Sequence, residues 1–195
     1  MPASAHIPMF PLSLMPLPGE LVPLHIFEPR YKELLLDAET TDTTFGIHFN
    51  HEMNSDKVGS LMRLESVLKR YPGGESDIIV KCIDVFTMDK LYRNFKNKLY
   101  PGGDVRLWKV DQDQIPGHHL YELFLVYQDL RNITQHSAIF TMYEVANELG
   151  MDLQDRYRFL TLPIEKQESF LQSRLKFQIH ILQQEDKSKD VYHLN

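Results

Sequence analysis

The feature that most constrains this chain is its opening run, IPMFPLSLMPLPGELVPLHIFEPRYKELL, Ile7 to Leu35. Pro8, Pro11, Pro16, Pro18 and Pro23 interrupt an otherwise apolar segment. Each proline removes a backbone donor and pushes the residue before it out of the helical region, so the run cannot be a helix. The same missing donors argue against a central strand, and IPMFPLSL is expected as a first or edge strand. In LPGE, Pro18 presets φ at the second turn position and Gly19 supplies positive φ at the third, a type II turn. LVPLHIF, carrying Pro23, then returns as a second strand. In EPRYKELLLDAE, Pro29 suits the first helical position and Glu28 the positive helix start. Tyr31, Leu34 and Leu35 recur at helical spacing, which predicts a short helix with that face turned inward.

The opening does not read as a secretory leader, because no lysine or arginine precedes Arg30 and the prolines break the apolar run. No stretch approaches the about 18 uninterrupted apolar residues of a spanning helix, so no membrane partner and a cytoplasmic location are expected. The chain has 195 residues, 43% hydrophobic and 25% charged, which is the composition of a folded globular protein. A single cysteine, Cys82, excludes an intrachain disulfide. The formal net charge of -6 argues against the phosphate backbone of a nucleic acid as the main partner.

Further along, SDIIVKCIDVFTM is rich in β-branched and aromatic residues, as in a buried strand. YPGGE (from Tyr71) and YPGGD (from Tyr100) are two loop signals too short to mark a repeat. The composition shifts at DQDQIPG, Asp111 to Gly117, and the periodicity then becomes helical. Leu120, Leu123, Phe124, Tyr127 and Leu130 form one stripe. Ile139, Met142, Tyr143, Ala146 and Leu149 form another, with Gly150 as its C-terminal cap. A short helix is expected over Asp152–Leu160, and a long one from Pro163 through Ile164, Leu171, Leu175, Ile179 and Leu182, with EDKSKDVYHLN as a tail.

The run PLPGELVPLHIFEPRYKELL resembles the start of the Lon protease N-terminal, substrate-binding domain family. The resemblance rests on Pro11-Leu12, Pro18-Gly19, Pro23-Leu24 and the ordered run His25-Ile26-Phe27-Glu28-Pro29-Arg30-Tyr31. FGIHF (45–49) and VGSLMRLESV (58–67) resemble the next two strands. Where the family has a Gly-x-x-Arg-Phe strand, this chain has Cys82, Val85 and Phe86, so only the aromatic agrees. Glu165-Lys166-Gln167, Leu171, Arg174 and Leu175 are in step with the family's closing helix. The resemblance implies an α+β fold: a PUA-like β pseudo-barrel with a short helix over residues 1–113, then a helical bundle over 114–195. It also implies a recognition domain without its machine. The sequence has no P-loop and no Gly-x-Ser-x-Gly elbow.

Other constellations carry little chemistry. His48 and His51 in HFNHE would point to opposite sides of a strand, so they do not form a metal site. His118 and His119 are adjacent and diverge at a helix start. Cys82, flanked by Val80 and Ile83 on a strand, reads as a small buried hydrophobe. His25 reads as a structural histidine, and Glu28 with Arg30 as an ion pair fixing the strand-to-helix corner. Met9, Met15, Met53 and Met62 suit either core filling or an adaptable apolar surface. No catalytic residue, metal ligand or cofactor site is assigned.

The expectation is therefore a non-enzymatic module that recognises unfolded or specific protein segments, an adaptor that captures apolar peptide, in a groove or by adding a strand to a sheet edge. Its motif residues (Pro18, Gly19, Pro23, His25, Phe27, Glu28, Pro29, Arg30, Tyr31) are expected to be structural. One alternative is a PUA-like RNA binder using Lys69, Arg70, Lys90, Arg93, Lys96 and Lys98. Another is a small-molecule enzyme, for which the sequence offers no triad or metal set. The sequence carries no signal of oligomeric state.

Overall fold

The computed structural model describes residues 3–133 and 139–192. The chain falls into two compact units, Met1–Asp111 and Gln112–Asn195.

The first unit is a six-stranded sheet ordered β2-β5-β4-β3-β1-β6, with a further β5–β6 pairing. Its strands are β1 (Ala3–Pro11), β2 (Leu21–Ile26), β3 (Phe45–His48), β4 (Val58–Arg70), β5 (Ser76–Tyr92) and β6 (Gly102–Leu107), with α1 (Pro29–Thr41) between β2 and β3. The extra pairing closes β1, β3, β4, β5 and β6 into a ring. β2 stays outside it, paired only with β5 among the described residues. The long β5 makes this possible: Ser76–Lys81 pairs with β2, and Phe86–Tyr92 with β6.

β1 is not an edge strand. It lies between β3 and β6, pairing with β6 through Ala3–Pro8 and with β3 through Met9–Pro11. The two pairings follow one another along the strand instead of overlapping. The pairing with β6 ends at Pro8, and Met9, where the pairing with β3 begins, still donates its amide to the Pro101 carbonyl at 2.8 Å. YPGGD is likewise not a loop, because Gly102 and Gly103 begin β6. A Cβ on Gly102 would come within 2.9 Å of the Phe95 ring, so glycine there lets strand and aromatic pack together.

The turn before β2 forms as expected. Gly19 has φ 83, and the Glu20 amide donates to the Leu17 carbonyl at 3.0 Å. Glu28 holds the N-cap position of α1 without a side-chain capping bond, Pro29 opens the helix, and Tyr31, Leu34, Leu35 and Ala38 face inward. Tyr31, Leu34 and Leu35 pack with Ile26, Phe45, Ile78 and Val80 into the main core of this unit. Val22 and Leu24 of β2 lean on the same core, so β2 has one face turned in and the other out.

The second unit holds α2 (His118–Leu130), α3 (Met142–Glu148), α4 (Leu153–Thr161) and α5 (Ile164–Tyr192). Leu120, Phe124, Tyr127, Phe159, Leu171 and Leu175 are buried in it. Ile139 and Ile164 are exposed and do not belong to the core stripes. Ile139 precedes α3, whose start is a capping box between Thr141 and Glu144. Gly150 adopts φ 57 at the end of that helix. The segment read as a tail is helical through Tyr192; residues 193–195 lie outside the described region.

Candidate functional site: the outer face of the second strand

Alternation along β2 sends Val22, Leu24 and Ile26 inward and leaves Leu21, Pro23 and His25 exposed. Phe27, two residues beyond His25, continues the exposed row. Its ring stacks on His25 at 6.0 Å and 24°. Leu21 is 56% exposed and Phe27 58%. Both are large apolar residues held in water beside a strand edge that no described strand pairs. Such an edge is a template for another extended chain.

His25 is fixed by a polar cluster across three strands. It lies opposite Asp77 of β5, which lies opposite Lys69 of β4. His25 Nδ1 is 2.6 Å from Asp77 Oδ1, and the Tyr71 hydroxyl donates to Asp77 Oδ2 at 2.6 Å. Lys69 Nζ sits 4.4 Å above the Tyr71 ring. The hydrogen bonds from Tyr71 and then His25 hold the Asp77 carboxyl below its ordinary value, and the same bond raises Tyr71. Both carboxylate oxygens are thus engaged.

The same cluster is built a second time. His6 of β1 lies opposite Asp104 of β6, which lies opposite Lys90 of β5. His6 Nδ1 is 2.7 Å from Asp104 Oδ1, the Tyr92 hydroxyl donates to Oδ2 at 2.5 Å, and Lys90 Nζ is 4.7 Å from the Tyr92 ring. In both places a bulge precedes the lysine, leaving Leu68 or Asp89 as the extra residue. A bulge shifts the strand's alternation by one, and here it brings Lys and Tyr to the side of the Asp. His6 also stacks on a phenylalanine, Phe95, at 5.0 Å and 14°. Phe95, however, is only 9% exposed.

The other motif residues lie around the strand-to-helix corner. Arg30 Nη2 is 2.8 Å from Glu28 Oε2, and its guanidinium lies 4.6 Å from the Tyr31 ring centre. Pro18 and Gly19 form the turn and Pro29 opens α1, while Tyr31 is buried against Phe10.

The residues of the suspected basic stripe are put to separate uses. Lys98 binds Asp37 at 2.8 Å, and Asp37 also accepts from the Tyr100 hydroxyl at 2.6 Å. Burial works to raise Asp37, but those two bonds outweigh it and hold its carboxyl low. Lys90 covers Tyr92, and Lys96 covers Phe95 from a positive-φ position. Arg93 is exposed, Lys69 covers Tyr71, and Arg70 pairs with Glu39. The interleaved aromatics Phe95 and Tyr100 are buried, so they form no stacking platform for bases.

His48 is buried, and burial, then Lys57, lowers its pKa. His51 is exposed and stacks on Phe49. His118 and His119 are exposed at the start of α2. Cys82 is fully buried, which pushes its thiol far above the ordinary range and removes it as a nucleophile. Met9, Met15 and Met62 are core residues and Met53 is half-buried. No group of three metal-binding side chains occurs among the described residues, and no described helix is long and apolar enough to cross a membrane.

A closed ring of strands with an appended edge strand, followed by a helical unit, defines an α+β class of domain. The profile of the ATP-dependent protease La (LON) substrate-binding domain matches residues 6–194, and the chain belongs to that family. Two solved structures are similar. A Lon N-terminal domain protein from Xanthomonas campestris aligns with TM-score 0.62 and 22% identity, over 81% of this chain and 90% of that one. The N-terminal domain of the Mycobacterium avium complex Lon protease aligns with TM-score 0.49 and 13% identity, over 92% of this chain and 98% of that one. No curated protein matches the chain.

Proposed function

We propose that this chain is a polypeptide-recognition module that captures an extended, apolar-rich segment along β2. The observation that carries the reading is the exposed row Leu21, Pro23, His25, Phe27 beside an unpaired strand edge. Family membership supplies the ligand class, since a substrate-binding domain acts on what another module processes. A captured segment adds its backbone to the β2 edge, and its outward side chains lie beside Leu21, His25 and Phe27 as cross-strand neighbours. Pro23 offers no backbone donor, which restricts the registers a guest strand can take and protects the edge from indiscriminate pairing. The role is non-enzymatic: the chain holds the segment and, as an adaptor, presents it to separate machinery.

The test is a binding titration with a carboxymethylated, permanently unfolded protein, at low and at physiological salt. Apolar capture is expected to survive the change in salt, whereas phosphate-directed binding falls steeply with it. Leu21→Ser and Phe27→Ser should weaken capture while leaving the fold intact. Tight binding of a structured RNA that collapses with salt, with no binding of the unfolded protein, would refute the reading.

A further inference from the structure

The hairpin of α4 and α5 lines an open cleft of about 480 Å³ within the helical unit. Lys166, Ser169, Phe170, Ser173 and Arg174 line it from one face of α5, at the three- and four-residue spacing that aligns side chains along a helix. Arg158, in the last turn of α4, closes the opposite wall. Phe170 is buried and forms the floor. Both guanidinium groups rest on its ring, Arg158 at 5.5 Å and Arg174 at 5.3 Å from the centre. These contacts hold two flexible cations in place before any ligand arrives.

The charges do not cancel. Arg174 pairs with Asp155. Arg158 lies in the field of the same carboxylate, and Lys166 forms no ion pair among the described residues, although the chain as a whole carries a net charge of -6. Three cations set against one carboxylate, with two serine hydroxyls beside them, therefore line one cleft.

We propose that this cleft binds a phosphate monoester. A phosphate monoester carries about -1.5 to -2 charge at neutral pH, which matches the surplus of three cations over one carboxylate. Arginine offers a planar fork of donors to phosphate oxygens, and lysine and serine supply the rest. A single carboxylate has two oxygens and one charge, too few for this set. The cavity lies within the about 300–1,000 Å³ range of small-molecule sites, so it has room for an organic group beyond the phosphate. Leu162, at the turn between the helices, gives that group an apolar wall.

The experiment uses the full chain, with phenyl phosphate as probe and inorganic phosphate and benzoate as comparators, followed by amide chemical shifts and calorimetry. Phenyl phosphate should bind and move the signals of Arg158 and of 166–174, inorganic phosphate should bind more weakly at the same signals, and benzoate should bind at least about tenfold more weakly still. The double variant Arg158→Ala/Lys166→Ala should lose at least about tenfold in phenyl phosphate affinity, and Lys166→Glu should abolish binding. Neither variant should shift the unfolding midpoint appreciably, because both side chains are exposed. Lys176→Ala, on α5 outside the cleft, is the control and should bind as the parent does. Absence of phenyl phosphate binding, equal affinity for benzoate, or affinity unchanged in both cleft variants would overturn the proposal.

Discussion

The His25 and His6 clusters use the same parts: a histidine, an aspartate and a lysine opposite one another on three strands, a tyrosine bonded to the aspartate and a phenylalanine on the histidine. They differ in the phenylalanine. Phe95 also stacks on Tyr100 at 5.8 Å and covers Gly102, so its ring is spent inside the protein. Phe27 follows the end of β2 and stacks on His25, and its ring is left largely in solvent. The His6 cluster joins β1, β6 and β5, three strands of the closed ring. The His25 cluster pins β2, the strand that the ring leaves outside. An identical polar arrangement therefore does not identify a site; what distinguishes the two is whether the apolar member has been covered.

The largest test of that difference is a pair of truncations followed by urea unfolding. Phe95→Ala removes a buried aromatic and should cost about 3–4 kcal/mol. Phe27→Ala should stay within about 0.5 kcal/mol of the parent, as for a surface change, yet weaken capture of the unfolded protein. Equal destabilisation by the two would erase the distinction. The next effect concerns the turn that delivers β2 to its place. At φ 83, Gly19→Ala should cost about 1 kcal/mol and Gly19→Val about 2. If both variants unfold like the parent, the turn does not set the register of the open strand.

A smaller effect is expected in acid, and it should be shared. Asp77 and Asp104 are each held below the ordinary carboxyl value, chiefly by their tyrosine and then by their histidine. A carboxyl lowered in the folded state contributes stability above its unfolded value, about 3.9, and loses it as the pH falls through the folded value. Asp77→Asn and Asp104→Asn should therefore each flatten the loss of stability below about pH 4, seen in unfolding midpoints between pH 6 and pH 2. A response from only one of them would show that the likeness of the clusters is superficial. The smallest effect is a null one. Changing Lys90, Arg93, Lys96 and Lys98 together to Ala should leave capture of the unfolded protein unchanged, since none of them lies on the β2 face.

Local signals in the sequence account for much of this fold. Pro18 and Gly19 demand one kind of turn, Pro29 one kind of helix start, and the spacing of Tyr31, Leu34 and Leu35 one buried face. The central place of β1 was hidden because it depends on a strand changing partners at Pro8 and Met9, which no local pattern records. The two clusters were hidden for a related reason. His25 and Asp77 are 52 residues apart and His6 and Asp104 are 98 apart, and the bulges at Leu68 and Asp89 reverse the facing that simple alternation would assign. The motif marked Phe27 but not its role. In a sequence, an aromatic next to a helix start reads as core, and only exposure separates it from Phe95. The capping box of Thr141 and Glu144 was legible in principle, as Thr-x-x-Glu, but the apolar Ile139 drew the helix start too early.

The most direct measurement is backbone hydrogen exchange of the full chain with and without saturating unfolded protein. Capture at the β2 edge should slow exchange of the outward-facing amides within Leu21–Ile26 and leave Gly102–Leu107, around the covered cluster, unchanged. The Phe27→Ser variant should lose that protection at the same ligand concentration. Protection that appears elsewhere while β2 exchanges as in the free chain would contradict the assignment of the site.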